Sequence, residues 1–127
     1  MLGINIKTDN ISGMSYADLI IDGLKRYETR DTNSLKPYIG RCVAIVRTGE
    51  GKAQAIGTVE IGEPLVVGSA QFRELQALHL VPAGSMFDIK PGGIKYLYPL
   101  ANPKRFDPRP VAHGIIARKV ITDVCMP

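Results

Sequence analysis

The sequence predicts an α+β fold, a small β-barrel or curled mixed sheet carrying short helices. Three observations carry the prediction. A helix, a hairpin, a second helix and returning strands follow one another along the chain. Gly57 falls inside the strand-like stretch 53–61, where it marks the bulge or tight bend that a small barrel needs. The 127 residues, 45% hydrophobic and 22% charged, suffice for one domain with its own core, without a disulfide or metal staple.

Ile4-Asn5-Ile6 alternates and reads as a first strand. Ser15 then reads as a helix N-cap, with Asp18 three residues on in the position of a capping-box acid. Ala17, Ile20, Ile21 and Leu24 recur at helical spacing and give that helix one apolar face, and Gly23 supplies its stop. Residues 26–30 change period: as a strand they set Arg26, Glu28 and Arg30 on one face, Tyr27 and Thr29 on the other. A turn-rich link leads through Pro37 and Gly40 to a Val/Ile-rich strand over 41–47. Residues 48–51 form a hairpin signal and 53–61 the partner strand. Ser69 is expected to cap a second helix whose stripe, Phe72, Leu75 and Leu78, ends near Leu80. Loops follow at 82–84 and 90–93, a strand over 95–100, an irregular Pro/Arg-rich crossing over 102–110, and a final strand over 114–121.

Composition excludes several classes. Apolar runs such as 43–46 are a few residues long, too short for a transmembrane helix, so no membrane partner is expected. Residues 1–7 lack the charged start and long apolar run of a signal peptide. Cys42 and Cys125 stand alone without His or Cys at ligand spacing, so no metal and no other cofactor is expected. A reducing cytoplasm fits two isolated cysteines best. The formal charge is +4, mild in itself but unevenly placed. Residues 1–52 carry +2, residues 53–94 carry −2 and residues 95–127 carry +4. Brought together, the two basic sections would make a face suited to phosphate; kept apart, they are a solvated surface.

The densest polar constellation is Lys25-Arg26-Tyr27-Glu28-Thr29-Arg30. Lys25 offers three donors and, if desolvated, a base; Arg30 offers a planar fork for phosphate or a base edge. Glu28, on the strand face of Arg30, pairs with it or accepts from an exocyclic amine. A salt-bridged exposed strand is the alternative reading of the same residues. Lys104, Arg105 and Arg109, interleaved with Phe106 and prolines, suit a phosphate backbone or serve to keep a loop soluble. His79 reads as a helix-capping or surface histidine, since no positioned acid makes a triad of it with Ser85, and His113 is equally unspecific. Tyr27, Tyr96 and Tyr98 are either stacking platforms or packed strand tyrosines. With 6% aromatics and no Trp, hydrogen bonds and charge are expected to outweigh an aromatic cage in any recognition.

From Tyr16 to Arg30 the chain resembles the ASCH domain, a PUA-like family marked by a short helix followed by Gly-x-Lys-x-x-Glu-x-Arg. The signature falls on Gly23, Lys25, Glu28 and Arg30. Ile39-Gly40 leading into the next strand, and the segment Tyr98 to Pro108, also follow the family, so the likeness spans roughly residues 4–122. The resemblance implies that residues 1–127 form one ASCH/PUA-like domain, a small β-barrel whose cleft is lined by the signature residues. It further implies a partner that is RNA or a modified nucleotide or nucleoside. In that reading Lys25 and Arg30 contact phosphate or base acceptors, Glu28 accepts from an amino group, and Lys104 and Arg105 supply electrostatic approach. Some members are hydrolases, namely amidohydrolases of acetylated cytidine and a ribonuclease; on that alternative Lys25 is the base and Glu28 its acid–base partner. The amidohydrolases' nucleophilic threonine lies three residues after the signature lysine, where this chain has Glu28, and a carboxylate does not replace that hydroxyl in acyl transfer. A protein-interaction domain that retains the barrel is the third alternative.

Overall fold

The structure, a computed structural model, describes residues 1–9, 13–49, 51–111 and 121–124. Its elements are β1 (Leu2–Lys7), α1 (Tyr16–Ile21), β2 (Tyr27–Arg30), a 3-10 turn (Lys36–Tyr38), β3 (Cys42–Thr48), β4 (Gln54–Ile61), β5 (Leu65–Val67), α2 (Ser69–Glu74), α3 (Gln76–His79), β6 (Lys95–Pro110) and β7 (Ile121–Asp123). No described helix is long and apolar enough to cross a membrane. The strands form a curled mixed sheet in the order β2-β6-β4-β3-β1-β7, with β5 also paired to β6. Among these strands only β1 and β3 pair in parallel, because the chain crosses over through α1 and β2 between them.

Curvature comes from bulges. The β3–β4 register slips between Ile45 and Val46, and β4 slips against β6 on either side of Gly57. Gly57 is needed there, since a Cβ would sit 2.4 Å from the Lys104 carbonyl oxygen and 2.7 Å from Ile21 Cδ1. The sheet therefore folds over α1, whose Tyr16, Ala17, Ile20 and Ile21 meet Ile4, Ile45, Val59 and Tyr98 in the main core. The result is an α+β half-barrel with a few short helices.

Helix α1 forms where its local signals place it. Ser15 Oγ accepts from the Asp18 N–H and donates to Asp18 Oδ2 at 2.5 Å, closing the first turn. At the other end Gly23, at φ +79°, lets its own N–H reach Ile20 and the Leu24 N–H reach Leu19, a Schellman stop. That stop removes Leu24 from the helix, and the side chain is 60% exposed rather than part of the apolar face.

Three further expectations are corrected. The second helix begins after Gly68, with Ser69 its first residue and no side-chain cap, and it breaks at Leu75 into α2 and α3. A continuous helix would hold residues 72 and 79 two turns apart, about 10 Å along the axis. The break instead stacks the Phe72 and His79 rings with centroids 4.0 Å apart in a second core cluster. The short strand β5, which no sequence pattern predicts, extends this side of the sheet. Residues 102–110 are not an irregular crossing but the continuation of β6. Its first part pairs with β2 and β5, its second part with β4. Beyond β2 the second part has a named strand on one side only, where prolines are tolerated, and Asn102 absorbs a bend at φ +50°. The expected final strand lies, apart from Ile121, outside the described residues, as do His113 and Cys125.

Candidate functional site

A cleft of about 330 Å³ opens where the sheet fails to close, between β2, the end of β1, Tyr16 of α1 and the loop carrying Phe87. Its position follows from topology: β2 is one edge of the sheet, and curling brings that edge toward β1. Arg30 spans the gap, donating from Nη2 to the Asn5 carbonyl at 2.9 Å. The same nitrogen pairs with Glu28 Oε2 at 2.9 Å, as the two-residue spacing on one strand face anticipates. Glu28 Oε1 accepts from the Thr29 N–H at 3.1 Å. Arg30 Nε is buried without a hydrogen-bond partner.

Lys25 is the most unusual group in the cleft. It leaves α1 through the Gly23 stop and is only 2% exposed. Its ammonium donates to the His79 carbonyl and lies 5.0 Å from the centroid of the Tyr16 ring. Burial lowers its pKa from 10.5 to about 8; Glu28 opposes the shift, and Arg30 and Lys95 add to it. At neutral pH most of the population carries a dehydrated positive charge, close enough to balance to serve as a base.

Tyr16 and Lys95 complete the inner wall. The Tyr16 ring packs edge-to-face on Phe87 with centroids 5.5 Å apart. Its phenol is pushed up by burial and by the carboxylates of Asp9 and Glu28. Tyr16 Oη and Ser85 Oγ lie near each other without a well-formed hydrogen bond, and both are buried. Lys95 Nζ, also buried, holds the exposed Asp31 carboxylate at 2.6 Å. The lining thus carries four cations, Lys7, Lys25, Arg30 and Lys95, against the carboxylates of Glu28 and Asp31, so it favours a ligand rich in acceptor oxygens.

The sequence candidates divide. Lys25, Glu28 and Arg30 converge on the cleft; Lys104 and Arg105 do not line it. Lys104 is exposed on β6 opposite Thr58, while Arg105 spends its guanidinium on Asp18 at 3.2 Å and Asp22 at 2.9 Å. Arg47 joins the same surface network through Asp18 at 3.0 Å. Tyr98 is a core residue whose hydroxyl accepts from the Leu35 N–H, and neither Tyr27 nor Tyr96 lines the cleft. His79 is no surface or capping residue. It is fully buried, its Nδ1 accepting from the Val81 N–H at 2.9 Å, which makes Nε2 the donor to the Phe72 carbonyl at 2.7 Å.

Sequence reasoning missed Tyr16, Lys95 and the His79 carbonyl. Tyr16 had a usable signal: it precedes Ile20 by four residues and so shares the buried face of α1. Lys95 and the His79 carbonyl had none, because each reaches Asp31 or Lys25 across more than fifty residues of chain. Among the described residues no three His, Cys, Asp or Glu side chains are grouped to hold a metal. No protein-family model matches the chain, and no curated protein matches it either.

Proposed function

We propose that this chain is an ASCH-type, PUA-like domain that binds RNA or a modified nucleotide by taking one nucleoside into the cleft. The convergence of Lys25, Glu28 and Arg30, all from one short signature, on a single partly dehydrated cleft carries this reading. A volume of about 330 Å³ suits a nucleoside better than a stacked oligonucleotide, whose remaining phosphates would lie outside. Lys25 and Arg30 meet base or phosphate acceptors and Glu28 meets a base donor. Exposed Lys104 contributes electrostatic approach, a role in which Arg105 is already neutralised by two carboxylates.

Thermal-shift titration with nucleosides and short oligonucleotides tests this. A stabilising ligand is expected, lost in Lys25→Met and Arg30→Ala, with a shallower salt dependence for oligonucleotides in the second variant. Absence of any shift, or equal shifts in all three proteins, overturns the proposal.

The depressed pKa of Lys25 favours a second reading, hydrolysis of a modified nucleoside or of RNA. A lysine near 8 takes a proton from an attacking water or hydroxyl at mildly alkaline pH, and Glu28 beside Arg30 relays or returns it. Chromatography of the same incubations distinguishes the two: unchanged ligand marks a reader, products an enzyme. Turnover that survives Lys25→Met would remove Lys25 as base.

A further inference from the structure

One ion pair of the cleft is built unevenly. The side chain of Lys95, first residue of β6, is only 6% exposed, whereas that of its partner Asp31, which follows β2, is 75% exposed. The β2–β6 register ends with Arg30 opposite Tyr96 and so brings Asp31 beside Lys95, where Asp31 Oδ1 accepts from Nζ at 2.6 Å. Among the described residues Asp31 is the one hydrogen-bond partner of that ammonium, and two of its three N–H groups stay unspent. A buried cation needs a counterion held as firmly as itself, yet this carboxylate stands mostly in water on a side chain that packing does not fix. Both residues line the cleft, so the point that Asp31 Oδ1 fills is open to whatever the cleft holds. The surroundings of that point are positive. Exposed Lys7 and half-buried Arg30 line the same cleft. Burial lowers the Lys25 pKa, and the charges of Arg30 and Lys95 lower it further, so these cations act on one another. Once Asp31 swings into solvent, four cations of the lining face the single carboxylate of Glu28, itself paired to Arg30 at 2.9 Å.

We propose that Asp31 holds the place of a phosphate, and that the ligand is a nucleotide whose terminal phosphate displaces it from Lys95. One phosphate oxygen takes the point 2.6 Å from Lys95 Nζ, and the others meet the two unspent N–H groups. Lys7 adds attraction at longer range. A ligand carboxylate would exchange one charge for the same charge and gain nothing over Asp31. A phosphate monoester brings nearly two negative charges and three acceptor oxygens, and so outcompetes it. A neutral nucleoside has no group with which to displace Asp31, which makes that residue a discriminator against unphosphorylated ligands. The assignment rests on the nucleoside reading above and adds Lys95 to the residues that touch the ligand.

Calorimetric titration of the full chain with the common ribonucleosides, their 5′- and 3′-monophosphates and a dinucleoside monophosphate tests the proposal. The best monophosphate is expected to bind at least roughly tenfold more tightly than its own nucleoside. The dinucleoside monophosphate, which carries only a diester, is expected to lose most of that advantage. Lys95→Met should bring the ratio of monophosphate to nucleoside affinity close to one. Asp31→Asn, at an exposed position that burdens folding little, should widen the ratio about threefold or more by removing the competing charge. A ratio near one in the unaltered chain overturns the phosphate site while leaving a nucleoside site standing. Equal binding of the diester overturns the assignment to a terminal phosphate. A ratio that Asp31→Asn narrows overturns displacement, since Asp31 would then hold Lys95 or the ligand in place. Failure of every nucleoside and nucleotide overturns this proposal and the nucleoside reading together.

Discussion

Replacing Lys25 by Met removes a buried charge while keeping an unbranched side chain of similar length. In the folded chain the ammonium titrates near 8 instead of 10.5. A difference of that size corresponds to ~3 kcal/mol of penalty on the charged form. The group is almost wholly buried, so little of this is screened by solvent. Substitution also removes the hydrogen bond to the His79 carbonyl, which returns roughly 1–2 kcal/mol of the gain. The variant should therefore be more stable than the parent by about 1–2 kcal/mol at pH 7. The sign of the pH dependence follows from which state holds the proton. Between about 8 and 10.5 the unfolded chain binds it and the folded chain has released it, so parental stability rises with pH across that window. Below about 8 the full penalty is present. Urea unfolding of both proteins from pH 7 to 10.5 measures the gap, and the difference cancels other titrating groups common to both. The gap should hold to about pH 8, then close and reverse in sign by pH 10.5. A gap that does not change with pH would refute the buried-charge argument. Greater stability together with lost ligand binding would mark Lys25 as retained for its chemistry rather than for the fold.

Other substitutions probe the scaffold. Gly57→Ala forces a Cβ to within 2.4 Å of a backbone carbonyl that β4–β6 pairing holds in place, and should cost about 2–3 kcal/mol in urea unfolding. Gly23→Ala meets nothing nearer than 4.0 Å and suffers only its positive φ, so its cost should be about 1 kcal/mol; the reverse ranking would contradict the close-approach account. Ser15→Ala deletes the cap of α1 and should cost about 1 kcal/mol, read from the thermal midpoint. Arg105→Gln breaks two exposed ion pairs and should change stability by less than about 1 kcal/mol, leaving nucleoside affinity within about twofold by calorimetry.

Helix α1 and the strand face shared by Glu28 and Arg30 were legible because their causes are local. A serine three residues before an acid, a glycine beyond the last turn and a two-residue alternation act within a few positions of one another. The same holds for the glycine bulge in β4. Where a local rule met a tertiary requirement, the tertiary one prevailed. The apolar stripe from Phe72 to Leu78 implied one helix, but stacking the Phe72 and His79 rings 4.0 Å apart required a break at Leu75. The prolines of 102–110 implied an irregular crossing, but an open edge beside that part of β6 left their missing N–H groups without consequence.

The sequence alone determined an α+β domain of one small sheet with short helices, and it singled out Lys25, Glu28 and Arg30 together. Tertiary structure decided what those residues are. Burial turned Lys25 from an ordinary surface cation into a dehydrated donor, through a carbonyl fifty-four residues away that no local pattern announces. It brought Tyr16 and Lys95 into the same cleft and drew Arg105 away to the acids of α1. Spacing along a strand fixes which side chains share a face. Which face is dehydrated depends on how the sheet curls and what covers it, and only the assembled chain contains that information.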